Sequence, residues 1–108
     1  MIPYELGDTV LIGFPHTDLR AISKRPAMVV YDAGDQDILV ARITTQEHLT
    51  LADYKILEWQ KCGLLAESYI RLGKQATIEK QYILKPLGKL ETEETRAIKG
   101  ILKKMLSL

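Results

Sequence analysis

Cysteine is nearly absent from this chain. Cys62 stands alone, so no intramolecular disulfide can form and a disulfide-stapled secreted scaffold is excluded. Histidine is scarce as well: His16 and His48 lie far from each other and from Cys62. They lack the paired spacing of a structural zinc site, and no metal or other cofactor is expected. Neither charge sign dominates, with 15 Lys and Arg against 14 Asp and Glu. A protein that grips duplex nucleic acid through its general field carries a basic excess, so a nucleic-acid partner here must be met by a local cluster. No run approaches the roughly 20 apolar residues of a membrane span. The opening MIPYELGD lacks the basic start and apolar run of a signal peptide, and the chain is expected to be soluble and cytoplasmic. Phosphate-cradling glycine loops, glycine-flanked nucleophilic serines, repeats and low-complexity segments are all missing.

What is present suits one domain over residues 1–108, with 46% hydrophobic residues, enough for one compact core. From Thr9 to Phe14, Val10, Ile12 and Phe14 alternate with Thr9, Leu11 and Gly13, which predicts a strand ended by Pro15. A polar loop follows to Lys24. Pro26 opens an apolar run to Tyr31, and a Gly/Asp turn at 32–35 joins it to a third run, Asp37 to Thr44, as a β-hairpin. If 26–31 pair with 38–43, Arg25 and Thr44 become neighbours at the open end.

Further on, Asp53–Leu57 reads as a short strand and Glu58–Cys62 as one helical turn stopped by Gly63. Between Ala66 and Leu72, the residues Ala66, Ser68, Ile70 and Leu72 share the core face, which turns Glu67, Tyr69 and Arg71 outward. Ala76–Glu79 and Ile83–Leu90 each add a short strand. The end of the chain, about 92–106, is an amphipathic helix: Thr92 is its expected cap, and Ala97, Ile98, Ile101, Leu102 and Met105 fall on one face. Short strands followed by one helix make a mainly β domain, a small curled antiparallel sheet with a C-terminal α-helix.

The polar residues at strand ends are the candidates for chemistry: His16, Thr17, Asp18, Arg20, Ser23, Lys24, Arg25, Thr44, Thr45, Gln46 and Arg71. Each has an ordinary reading. Arg25 marks a strand start, Asp18 caps its own turn, and Arg71 pairs with a carboxylate across a strand.

Order and spacing add more. Gly7-Asp8, Phe14-Pro15-His16-Thr17-Asp18 and Arg25-Pro26 are followed by Ile43-Thr44-Thr45-Gln46, Glu58-Trp59 with Gly63-Leu64-Leu65, Tyr69-Ile70-Arg71-Leu72 with Thr77-Ile78, and Leu87-Gly88-Lys89-Leu90. In this order they resemble the PemK/MazF-like toxins of type II toxin–antitoxin systems across nearly the whole chain. The resemblance implies an SH3-like small barrel (about 7–90), a homodimer, and a metal-independent endoribonuclease that cuts single-stranded RNA. It also implies restraint by a cognate antitoxin, with DNA binding through the toxin–antitoxin complex. On the matching positions, Arg25 and Thr44 become the catalytic candidates. His16, Arg71 and Gln46 become catalytic or substrate-binding candidates, and Thr17, Asp18, Arg20, Lys24, Thr45 and Tyr69 RNA-binding ones. The chain departs from the family pattern where Gly73 replaces an acidic residue, Ala76 an arginine and His16 a phenylalanine. Those departures leave open an RNA- or peptide-binding module with weakened catalysis.

Overall fold

The computed structural model describes residues 3–15 and 22–108. Six antiparallel strands form one sheet: β1 (Asp8–Pro15), β2 (Ile22–Tyr31), β3 (Asp37–Thr44), β4 (Asp53–Lys55), β5 (Tyr69–Glu79) and β6 (Ile83–Lys89), in the order β4-β5-β3-β2-β1-β6. One helix, α1 (Thr92–Met105), ends the chain. The fold is mainly β with a C-terminal helix, as expected. A 3-10 turn, Lys80–Tyr82, carries the chain from β5 to β6. The sheet thereby curls over one of its faces into the SH3-like small barrel.

Alternation along the strands feeds two cores. Val10, Ile12, Ala27, Val29, Ile38 and Val40 pack on the concave face. Met28, Ala41, Ile43, Ile70 and Leu72 pack on the other, with Ile56, Cys62, Leu90 and Ile98 of α1. Each fully buried side chain of this size contributes about 1.5–3 kcal/mol of transfer free energy. Cutting Met28 or Ile98 back to alanine would cost about 2–5 kcal/mol.

The α1 side is clamped by a buried carboxylate. Glu94, 3% exposed, accepts from the Tyr54 hydroxyl (2.9 Å), the Leu57 amide (2.6 Å) and the Glu58 amide (3.2 Å). Burial, and then Glu94, push the Tyr54 phenol well above its ordinary range. Burial likewise raises the Cys62 thiol to about 11, with Glu94 and Glu91 adding to it, so this cysteine stays protonated and inert at neutral pH. The turn at Trp59–Cys62 sits tight on β6. Gly63 has φ +73°, and a Cβ there would run into the Leu87 carbonyl.

Five expectations change. β2 begins at Ile22, so Pro26 lies inside the strand. It is tolerated because the β2–β3 ladder starts only at Ala27, where a missing N–H costs nothing. Tyr69 to Glu79 is one strand through Gly73. Ala66 is exposed, whereas Ser68, Ile70 and Leu72 are buried as foreseen, and Tyr69 is buried too, at 6% exposure. A residue from beyond this strand reaches it, since its hydroxyl meets Glu47 of the segment that follows β3. At the helix start, Glu91 is the cap residue, makes no side-chain capping bond, and Thr92 is already helical. Along α1, Ala97 and Met105 of the expected apolar face are exposed, and Ile98 is buried with Ile101 and Leu102 half-buried, because the buried Glu94 sets which side meets the sheet.

Candidate functional site

Strand register assembles the site. Arg25 lies opposite Ile12 of β1, and Ala27 lies opposite Arg42 of β3. The paired ladder stops at Ala27, and its register carried two residues further would set Arg25 across from Thr44. At the turn end the register slips, because a bulge between Val29 and Tyr31 brings Tyr31 opposite Leu39. On β5, Arg71 faces Arg42 and Tyr69 faces Thr44; on β4, Asp53 faces Arg71. Directly opposed residues share a sheet face, so Arg25, Arg42, Thr44, Tyr69 and Arg71 all belong to the concave face.

A second irregularity adds Lys74. The β3–β5 ladder jumps from Ala41–Gln75 to Arg42–Arg71. The residues between bulge out and reverse the alternation. Ile70 and Leu72 point to the α1 core, whereas Lys74, Ala76 and Ile78 line a concave-face cavity of about 200 Å3 with Ile12, Arg25 and Arg42. Apolar groups floor it and three exposed cations rim it. Arg25, Arg42 and Lys74 have no acidic partner among the described residues.

The other candidates are held or lie elsewhere. Arg71 Nε donates to Asp53 Oδ1 at 3.0 Å, the cross-strand pairing of its ordinary reading. Burial pushes the Asp53 carboxyl up, but hydrogen bonds from Thr50 and Arg71 outweigh it and leave the pKa below the ordinary aspartate value. The Tyr69 hydroxyl donates to Glu47 Oε2 at 3.2 Å, and burial, then Glu47, raise its pKa. Half-buried Thr44 accepts the Gln46 amide on Oγ1 at 3.1 Å, leaving its hydroxyl proton to donate. Lys24 and Thr45 line a different cavity, of about 450 Å3, with Pro26, Leu64, Leu65 and Lys85. His16, Thr17, Asp18 and Arg20 fall outside the described residues. Among those described, no three His, Cys, Asp or Glu are placed to hold a metal ion, and no helix is long and apolar enough to cross a membrane.

Sequence reasoning missed Arg42 and Lys74. Arg42 carried a signal: it interrupts the apolar run of β3 two residues before Thr44, and so shares its face. Lys74 carried none, since only the bulge turns it inward.

Comparison with known proteins bears on the family and the fold. The family described as "PemK-like, MazF-like toxin of type II toxin-antitoxin system" matches residues 5–106. No curated protein matches the chain by sequence. Among solved structures, an endoribonuclease in complex with its cognate antitoxin, from Mycobacterial species, is similar at TM-score 0.76 and 15% identity, covering 95% of this chain and 94% of that one. An endoribonuclease from Mycobacterial species gives 0.74 and 16%, with 100% and 95% covered. The Mycobacterium tuberculosis toxin MazF-mt6 gives 0.70 and 18%, with 91% and 97% covered. At these identities the likeness is one of fold.

Proposed function

Because the chain belongs to the PemK-like, MazF-like toxins of type II toxin–antitoxin systems, we propose that it is an endoribonuclease acting on single-stranded RNA, with Arg25 and Thr44 at the reacting phosphate. The observation that carries this reading is Arg25 itself. It is exposed, without an acidic partner among the described residues, and aimed at a cavity beside the strand that ends in Thr44.

In such a reaction the ribose 2′-oxygen attacks the adjacent phosphorus and gives up its proton. The bond to the 5′-oxygen breaks, that oxygen takes a proton, and a 2′,3′-cyclic phosphate remains. Negative charge builds on the non-bridging oxygens, where a preorganised cation stabilises most. A guanidinium is always charged and can bond two phosphate oxygens at once. The Thr44 hydroxyl, anchored by the Gln46 amide, is suited to position the phosphate or the attacking 2′-OH. No metal enters these steps.

Incubation with varied single-stranded RNAs in excess chelator is expected to yield fragments ending in 2′,3′-cyclic phosphate. No cleavage above an Arg25→Ala control would sink the reading. A second reading, binding without cutting, has one observation in its favour. The described residues around the Arg25 cavity are cationic or apolar, and none is a carboxylate or imidazole suited to proton transfer near neutral pH. Saturable binding without product would establish it. A cognate antitoxin as partner and a homodimer as the assembly, both in the cytoplasm, complete the proposal. Co-purification with the neighbouring gene product and light scattering test them.

A further inference from the structure

We propose that Arg42 and Lys74 form a second phosphate subsite beside Arg25, which takes the RNA phosphate next to the one at the reacting position. The inference rests on the RNA reading above and extends it to residues no resemblance assigns.

Placement is the first argument. Arg42 and Lys74 rim the same cavity as Arg25, one from β3 and one from the β5 bulge. Arg25 and Arg42 are diagonal neighbours across the β2–β3 ladder, about 7–8 Å apart at the backbone. That offset suits two successive phosphates better than one shared group.

Charge is the second argument. Several cations of this chain sit beside carboxylates: Arg71 on Asp53, Lys80 on Asp32, Lys61 on Glu91 and Arg96 on Glu93. Arg42 and Lys74 have no such partner among the described residues; Lys24, Lys85, Lys99, Lys103 and Lys104 have none either, but only Arg42 and Lys74 join Arg25 around one cavity. Three like charges around about 200 Å3 repel one another, and a polyanion brought among them relieves that repulsion. Small Ala76 lies between Lys74 and Ile78 on the same wall, so no side chain bulkier than a methyl crowds this part of the rim.

The test uses 2′-O-methylated oligoribonucleotides of increasing length, which lack the internal nucleophile and report binding alone. Arg42→Gln and Lys74→Gln should each weaken binding about tenfold, and each should flatten the log–log salt dependence by about 0.7. In the double variant, lengthening the probe by one phosphate should no longer add affinity. Lys103→Gln, on exposed α1, controls for the loss of one charge and should leave the salt slope unchanged. Variants that bind within twofold of the parent at an unchanged slope would overturn the subsite, as would an equal loss in Lys103→Gln. A parent that binds these probes but never cuts RNA overturns the catalytic reading and leaves the subsite standing. A parent that binds none overturns both. Thermal midpoints are expected to stay unchanged, since both side chains are exposed.

Discussion

On the α1 side of the sheet, Glu94 is buried and accepts three hydrogen bonds, and the Thr9 hydroxyl donates to the Cys62 carbonyl at 2.8 Å. On the concave side, Arg25, Arg42 and Lys74 rim a cavity without an acidic partner among the described residues. Both faces rest on apolar cores of similar chemistry, so hydrophobic burial does not distinguish them. The difference lies in what their polar groups do. Buried polar groups must be paired, because leaving one unmade costs about 1–3 kcal/mol. Exposed cations carry no such penalty, and those left unpaired remain available to an anion. The buried Glu94 and Thr9 hold the α1 side together, whereas the three exposed cations around the Arg25 cavity are free to meet an anion.

The contrast can be broken most sharply at Glu94. Glu94→Ala leaves a hydroxyl and two amides without their acceptor and is expected to cost about 3 kcal/mol or more of stability, read as a lower urea midpoint. A loss under 1 kcal/mol would mean that water replaces the carboxylate and that the clamp is ornamental. Arg25→Ala should behave in the opposite way. Cleavage falls about a hundredfold, near 3 kcal/mol of barrier, while the urea midpoint stays within about 0.5 kcal/mol of the parent. A large stability loss instead would place Arg25 among the structural residues.

Asp53 tests the boundary between the two classes, since it lies on the concave face yet is paired. Its folded pKa lies below the ordinary 3.8, so in the acid range the unfolded chain binds more protons than the folded one. The stabilisation is therefore present above about pH 4 and lost as pH falls through the ordinary value toward the lowered one. Asp53→Asn should destabilise at pH 7, and the gap to the parent should narrow at pH 3. An equal gap at both would deny the ion pair its role. Gly100→Ala is a smaller, favourable change: a Cβ there meets nothing within 4 Å, and the helix should gain about 1 kcal/mol. Gly63→Ala would by contrast be destabilising at a positive φ against the Leu87 carbonyl. Smallest of all is Lys24→Gln. Lys24 adjoins Arg25 in sequence but lines the other cavity, and RNA cleavage should change less than twofold. A loss like that of Arg25→Ala would show that RNA wraps both faces.

Much of this was legible in the residues. The register that pairs Ala27 with Arg42 follows from two apolar runs and a glycine-bearing turn, because antiparallel pairing leaves few registers that keep both core faces buried. The helix announced itself through its apolar stripe. Bulges were illegible, and they mattered twice. One shifted the hairpin register at its turn end. The other carried Lys74 to the concave face. An irregularity of this kind adds a few unpaired residues to one strand, one in the hairpin and three in β5, and leaves no periodic trace, since which strand yields depends on the curl of the whole sheet. Tyr69 was expected outside because alternation assumes one wet face, whereas Glu47, from the segment after β3, reaches its hydroxyl.

Order of residues alone therefore determines where strands arise, that the C-terminus is a helix with Ile98 turned to the core, and that a single thiol, Cys62, can form no disulfide within the chain. These are local matters, governed by periodicity over a few residues and by composition. Which charges are satisfied is not local. Arg71 finds Asp53 eighteen positions away, and Glu94 finds Tyr54 forty away, while Arg25 and Arg42 find no such carboxylate among the described residues. Nothing in the neighbouring sequence separates the paired arginine from the two unpaired ones. Long-range register, bulges and the curl of the sheet decided it.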